Sequence, residues 1–274
     1  AAASGVVAEV AVTVGPSGVG QVECSAAGCR AVTILLDRRL KLDDKNAPAW
    51  LPQAAVTDAT SFGITPGSAD VTQRLQSAIG ALVGEFQTLY LAAGFYHISS
   101  TLFWNSSRSG SHSHEWMARL SLMGAGRHTN GTVFRLADRS AGFDVAGSPR
   151  AVIFTASEGT ADGSGDTAFV NSFFDLSVHV GDNRGAVAID YLVSNQGGME
   201  RVALTGNGAI GLSMLRSAPG PGFVSYLDVR GFAVGIAVAG PCCSMVLEHI
   251  VLEGQSTAGV TNTDNVLTFR RLIS

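Results

Sequence analysis

Two aspartates, Asp175 in "FFDLSVHV" and Asp228 in "YLDVRG", sit in short apolar runs of the same design. Arg201, Arg230, His249 and Glu253 stand in or beside comparable runs. Carboxylates and cations held at fixed separations can do acid–base work. One carboxyl gives a proton to a leaving oxygen, while a second, kept ionised by a neighbouring arginine, activates the attacking group. Such chemistry needs a set spacing, and here the spacing must come from a repeating scaffold.

The repeat is visible from residue 171 onward. "FFDLSVHV", "MERVALTG", "YLDVRG", "LEHIVLEG" and "FRRLIS" each alternate apolar and polar residues. Aligned on their first inward residue they give Leu176, Val202, Val229, Ile250 and Leu272, spaced 26, 27, 21 and 22 apart. A second series lies between them, with Ile189, Leu212, Ile236 and Val260 spaced 23, 24 and 24 apart. Two series drifting with one period predict a parallel β-helix, in which each coil stacks on the next about 4.8 Å away and all share one core. Leucine-rich repeats have a similar period, but their leucine spacing and helix-forming halves are absent.

Stacking the first series places Asp175, Arg201, Asp228, His249 and Arg271 in one outward column. The next holds Ser177, Ala203, Arg230, Val251 and Ile273, and beyond it lie His179, Thr205 and Glu253. Asp175 and Asp228 would then be two coils, roughly 9–10 Å, apart along the backbone. That approaches the ~6.5–9.5 Å separation of carboxylates in inverting glycosidases. Arg201 between them would hold one carboxylate ionised. A solvated ladder of alternating charge accounts for the same residues without any chemistry. The outward positions of the second series are instead small: Ala188, Gly211, Gly235 and Thr261, then Asp190, Ser213, Ala237 and Thr263. Such a face is expected to be covered by another β-helix, a partner subunit or a further segment.

Composition narrows the classes. Among 274 residues there are 33 glycines, which suits many turns and short strands rather than a few long helices. Only two lysines occur, Lys41 and Lys45, and the net charge is −4, so no basic stripe offers itself to nucleic acid. The most apolar segment, 231–247, is broken by Gly235, Gly240 and Pro241, which excludes a membrane-spanning helix. The four cysteines, Cys24, Cys29, Cys242 and Cys243, lack zinc spacing and fit an exported protein with a disulfide, although their pairing stays open. The expected location is therefore secreted or periplasmic.

Upstream, "SADVTQRLQSAIGAL" puts Val71, Leu75, Ile79 and Leu82 on one helical face, with Ser68 or Asp70 as the N-cap. An amphipathic helix here would cover the first open coil. Residues 1–54 hold strand-like runs, "GVVAEVAVTV" and "RAVTILLD", outside the repeat and form a leading β segment; 55–274 form the β-helix.

"AVTDATSFGITPGSADVTQRLQSAIGAL", followed by "LYLAAGFYHISSTL" and "LSLMGAGRHTNGTVFRL", resembles the opening of the pectate-lyase-like superfamily. That family's Leu-Pro-Ala-Gly strand has Ala92 in place of proline here. "GAVAIDYLVSNQGGMERVALTG" is similar to the tandem-β-helix β-1,3-glucanases and to polygalacturonase-related proteins. The resemblance implies an all-β, right-handed parallel β-helix and a glycoside hydrolase acting on a β-glucan-type polysaccharide. Asp175 and Asp228 would be catalytic, with Arg201, His249, Arg230, Glu253, Trp104 and Trp116 binding substrate. No cofactor is expected. A polysaccharide lyase, or a non-catalytic carbohydrate-binding half of a larger protein, remains as an alternative.

Other motifs invite chemistry less. "TNTD" at 261–264 and "VGDN" at 180–183 echo polygalacturonase elements but fit β-helix corners. "SHSHEW", with His112, His114 and Glu115, reads as an exposed loop rather than a metal site, and "MGAGRHTNG" leads into a strand and so is no dinucleotide turn. A last strand in "FRRLIS" with no cap after it predicts a further segment or a second chain over the final coil.

Overall fold

The structure, a computed structural model, describes residues 13–14, 20–21, 55–85, 87–104, 119–156, 168–194 and 197–274. It divides into two compact units, Ala1–Gln53 and Ala54–Ser274. In the first, β1 (Thr13–Val14) pairs antiparallel with β2 (Gly20–Gln21). The run "RAVTILLD" lies outside the described residues.

The second unit begins with β3 (Ala55–Asp58), a short 3-10 turn (Ala59–Phe62) and α1 (Thr72–Leu82). Val71, Leu75, Ile79 and Leu82 are buried, as their spacing predicts. Asp70 Oδ1 accepts from the Thr72 backbone N–H at 2.7 Å, so it supplies the cap although Val71 occupies the cap position. α1 then does the work of a missing strand. Gln76 Nε2 donates to the Phe103 carbonyl at 2.5 Å and Gln76 Oε1 accepts from the Phe103 N–H at 2.8 Å. One side-chain amide thereby satisfies both backbone groups of an edge residue.

Early coils use short strands: β4 (Gln87–Tyr90), β5 (Gly94–Ile98), β6 (Leu102–Trp104), β7 (Leu120–Met123), β8 (Thr132–Leu136) and β9 (Arg150–Thr155). Later coils alternate a long strand with a short one. The long strands are β10 (Ser172–Asp182), β12 (Gly198–Asn207), β14 (Gly222–Gly231), β16 (Met245–Glu253) and β18 (Leu267–Ile273). The short ones are β11 (Ala186–Asp190), β13 (Ile210–Met214), β15 (Val234–Ala239) and β17 (Ala258–Thr263). The long strands stack in one sheet that the early β7, β4 and β3 continue, β18-β16-β14-β12-β10-β7-β4-β3, and the later short ones stack with β9 and β6 in another, β17-β15-β13-β11-β9-β6. All their pairings are parallel, and the fold is a right-handed parallel β-helix.

β10 shows how the long strands arise. Its first half pairs with β7 and its second half with β8, so one strand does what two did a coil earlier. The join is a bend at a single residue in left-handed conformation. Asp175, Arg201, Tyr226, His249 and Arg271 occupy this place with φ between 51° and 60°. The bend resets the alternation, so inward residues fall three apart across it: Phe173 and Leu176, Met199 and Val202, Val224 and Leu227, Leu247 and Ile250, all buried.

This geometry corrects the expected register. Val202 pairs with Leu227, and Val229 pairs two residues further on with Leu204. Val202, Val229 and Ile250 do point inward and are buried. A slip of two residues preserves every inside–outside assignment, and for that reason alternation alone did not detect it. Tyr226, not Asp228, therefore completes the bend column. Gly231 ends β14 with φ 81°.

The second series pairs as its spacing predicts, Ile189 with Leu212, Ile236 and Val260 in turn. Of its small residues, Ala188, Gly211 and Gly235 do not form an outward face, and Thr261, expected in their column, pairs with Ala237 in the next one. Ala188 is buried in the core cluster, and a Cβ added to Gly211 would lie 2.4 Å from Val229 Cγ1. At Gly235 an added Cβ would lie 3.2 Å from Leu252 Cδ2. These positions are small because the two sheets converge there, not because something docks on them.

Candidate functional site

The bend column is built from partners. Arg201 donates from Nε to Asp175 Oδ1 at 2.6 Å and from Nη2 to Asp175 Oδ2 at 2.8 Å, and it also pairs with Glu200. The hydrogen-bonded Asp175 carboxylate pushes the Arg201 guanidinium further above its already high range. One coil on, the Tyr226 and His249 rings stack at 4.4 Å with planes 7° apart. An L residue in left-handed conformation costs about 1–2 kcal/mol, and these contacts offset that cost.

Asp228 lies two residues past the bend, opposite Ala203 and Val251, and is 7% exposed. The turn between β7 and β8 reaches across to it. Arg127 Nη1 and His128 Nε2 each sit 3.4 Å from its carboxylate. Arg127 Nη1 also donates to the Tyr226 carbonyl at 2.6 Å, and the His128 backbone N–H donates to Ser177 Oγ at 2.7 Å. Asp175 and Asp228 thus stand in different columns, each engaged by its own basic side chains.

The remaining residues singled out from sequence distribute as follows. Arg230 and Glu253 pair with each other in a third column that also holds Arg135, His179 and Thr205. Burial, reinforced by the Arg135 charge, lowers the His179 imidazole below its ordinary range, and its Nδ1 lies 2.9 Å from Thr205 Oγ1. His249 belongs to the bend stack. Trp104 contributes backbone to β6, and its side chain, like all of Trp116, His112, His114 and Glu115, lies outside the described residues. Among the described residues no cluster of His, Cys, Asp or Glu has the makings of a metal site. "VGDN" and "TNTD", expected at corners, lie mostly within strands: only Asn183 follows β10 and only Asp264 follows β17. Asn183 is fully buried, with Nδ2 donating to the Ala137 and Val180 carbonyls, while Asn262 Nδ2 donates to the Asn265 carbonyl.

A different arrangement occupies the outer face of the short-strand sheet. Its register sets Phe103, Phe154, Asp190, Ser213, Ala237 and Thr261 in one outward column. Beside them Pro149, Val187, Ile210 and Leu215 wall a cleft of about 380 Å³, with Thr101 and Arg150 at its polar edge. That volume falls in the range of small-ligand sites. Asp190 is the one carboxylate among the described lining residues. Arg216 holds its Oδ1 through Nε at 2.9 Å, donates from Nη2 to the Thr155 carbonyl at 2.6 Å, and stacks 3.9 Å over the Phe154 ring. Asp190 Oδ2 accepts no hydrogen bond from any described residue. Burial raises the Asp190 carboxyl above its ordinary range, and Arg216 offsets this only in part.

The sequence reading missed Asp190 as a site because it counted the residue among small outward positions. Its signal was its isolation. Across the aligned positions Asp190, Ser213, Ala237 and Thr261 it is the single charge in an otherwise neutral column.

No family model and no curated protein matches the chain. Solved structures do. A glycosyl hydrolase candidate from Parabacteroides merdae aligns over 80% of this chain and 95% of its own, at 13% identity and TM-score 0.52. The A-module of mannuronan C-5 epimerase from Azotobacter vinelandii aligns over 74% of this chain and 59% of its own, at 18% identity and TM-score 0.40. A Geobacillus virus E2 protein, ORF18, aligns over 77% of this chain and 40% of its own, at 13% identity and the same TM-score. At these identities the likeness is one of fold, a right-handed parallel β-helix.

Proposed function

We propose that the protein is a glycoside hydrolase acting on a β-glucan-type polysaccharide, bound in the cleft over the short-strand sheet, with Asp190 as proton donor. The supporting observation is a carboxyl raised by burial inside a cleft with apolar walls. A raised carboxyl stays protonated into the range where it can give its proton to a leaving glycosidic oxygen. The flat Phe154 ring and the Ile210 and Leu215 side chains suit the apolar faces of a neutral sugar. Arg150, the cation at the edge, donates to Thr101 Oγ1 at 3.1 Å and lies 4.8 Å over the Phe143 ring, contacts that hold its side chain at the rim. The Cys242–Cys243 disulfide supports work outside the cytoplasm.

Because Asp190 has no companion carboxylate among the described lining residues, a second reading is a non-catalytic sugar-binding site. One experiment separates the two. The protein is incubated with laminarin, polygalacturonate and alginate, and both reducing ends and unsaturated ends are measured. Hydrolysis of laminarin, lost by about 10²-fold or more in Asp190→Asn but retained in Asp175→Asn and Asp228→Asn, supports the proposal. Loss in the Asp175 and Asp228 variants alone would return the chemistry to the long-strand face. Unsaturated ends would make it a lyase. Binding without turnover, abolished by Phe154→Ala, would establish the second reading.

A further inference from the structure

Arg216 follows the last residue of β13 by two positions and turns back across two earlier coils. Its guanidinium engages three neighbours at once. Nε donates to Asp190 Oδ1 at 2.9 Å, and Nη2 is shared between the carbonyls of Thr155 at 2.6 Å and Asp190 at 3.1 Å. The guanidinium carbon lies 3.9 Å over the Phe154 ring. Thr155 ends β9 and Asp190 ends β11, so one side chain ties the ends of two stacked strands to an aromatic ring and an acid. The Arg216 and Asp190 side chains are only 16% and 19% exposed. A lysine could supply the same charge, but not the planar fork or the close seat on the ring.

We propose that Arg216 is a positioning residue of the cleft, holding the Asp190 carboxyl and the Phe154 ring as one rigid unit so that acid and sugar platform keep a set separation. The inference rests on the reading of the cleft as the sugar-binding site with Asp190 as its acid. By engaging Oδ1 through Nε, Arg216 leaves Oδ2 as the oxygen that carries the transferable proton. Burial raises the Asp190 carboxyl, and the Arg216 charge and hydrogen bond draw it part of the way back. A reacting group displaced by about 1 Å can lose about 10²-fold in rate, so the rigidity of this unit bears on catalysis as well as on folding.

The test compares Arg216→Lys, which keeps the charge, with Arg216→Gln, which removes it, after thermal melts have shown that each is folded. On laminarin both should lose kcat by about 10- to 100-fold, with KM raised as the Phe154 platform loosens. Only Arg216→Gln should carry the basic limb of the pH profile to higher pH, because its Asp190 keeps the proton longer. The Asp190 carboxyl carbon, followed by 13C NMR and assigned by its absence from Asp190→Asn, should titrate at higher pH in Arg216→Gln with no substrate present. An Arg216 that serves stability alone would lower the melting temperature and leave kcat, limb and carboxyl titration where they were, which overturns the proposal. An unmoved Asp190 signal overturns it whether or not the chain cleaves anything. Should Arg216→Gln fail to fold, Arg216→Lys decides, and an unchanged kcat there is equally fatal. If the natural chain cleaves no polysaccharide while the Asp190 signal still moves in Arg216→Gln, the hydrolase reading falls and the hold of Arg216 on Asp190 stands.

Discussion

The two outer faces of the coil use charge in opposite ways. Along the long strands charges are plentiful, and the carboxylates there are met by basic side chains: Asp175 by Arg201, Asp228 by Arg127 and His128, Glu253 by Arg230. On the short-strand face one acid stands in a column of aromatic, small and hydroxyl side chains, half-held by Arg216 and bordered by a cleft. Abundance of charge marks a place where the backbone needs support. A single acid, desolvated and only partly satisfied, is the better mark of chemistry.

The contrast rests on which residues face inward, so the strongest way to break it is to charge the core. Val229→Asp should abolish the cooperative thermal transition, because the carboxylate would be buried without a partner. A folded Val229→Asp protein would mean that the coil is wound differently. Gly211→Val tests the convergence of the sheets, since its Cβ would meet Val229 Cγ1 at 2.4 Å. It should destabilise by about 1–3 kcal/mol in a urea titration. An unchanged midpoint would restore the small-residue column to the surface.

Within the long-strand face, Asp228→Ala should cost more than Asp175→Ala. Asp228 is almost enclosed and tethers the Arg127–His128 turn, which suggests about 1–3 kcal/mol, whereas the half-exposed Asp175–Arg201 pair suggests about 0–1 kcal/mol. Equal losses would erase the distinction between latch and ladder. The smallest effect concerns pH. Asp190 is raised on folding, so its proton is held more tightly in the folded chain than in the unfolded one. Its contribution to stability is full below the unfolded carboxyl pKa and is lost as pH rises through the folded value. The Asp190→Asn chain lacks that loss, and its stability relative to the natural chain should climb as pH rises from the unfolded carboxyl pKa through the folded one. A flat difference would deny Asp190 its desolvation.

The β-helix itself was legible because two apolar series kept one period, and the register of the shorter series followed from its spacing. The longer series misled at one coil. The segments Phe-Phe-Asp-Leu, Met-Glu-Arg-Val, Val-Ser-Tyr-Leu, Leu-Glu-His-Ile and Phe-Arg-Arg-Leu all carry apolar residues three apart, the imprint of the bend. Aligning on that gap, rather than on the first alternating residue, puts Leu227 beside Val202 and removes Asp228 from the column. The candidate site was less legible. Phe154, Asp190 and Leu215 come from three successive turns of the coil, and only stacking brings them to one cleft.

The bend residues have one more consequence. A left-handed backbone conformation for an L-amino acid is the ordinary right-handed one for its mirror image. At Asp175, Arg201, Tyr226, His249 and Arg271 the coil therefore holds a natural residue in a shape that a D-amino acid would adopt without strain. Chemical synthesis with D-tyrosine at position 226 inverts the usual outcome of such an exchange, since a D residue inside a strand or helix normally breaks it. Handedness along this chain is thus not uniform: every long strand reverses it at an address that the sequence marks by a three-residue gap.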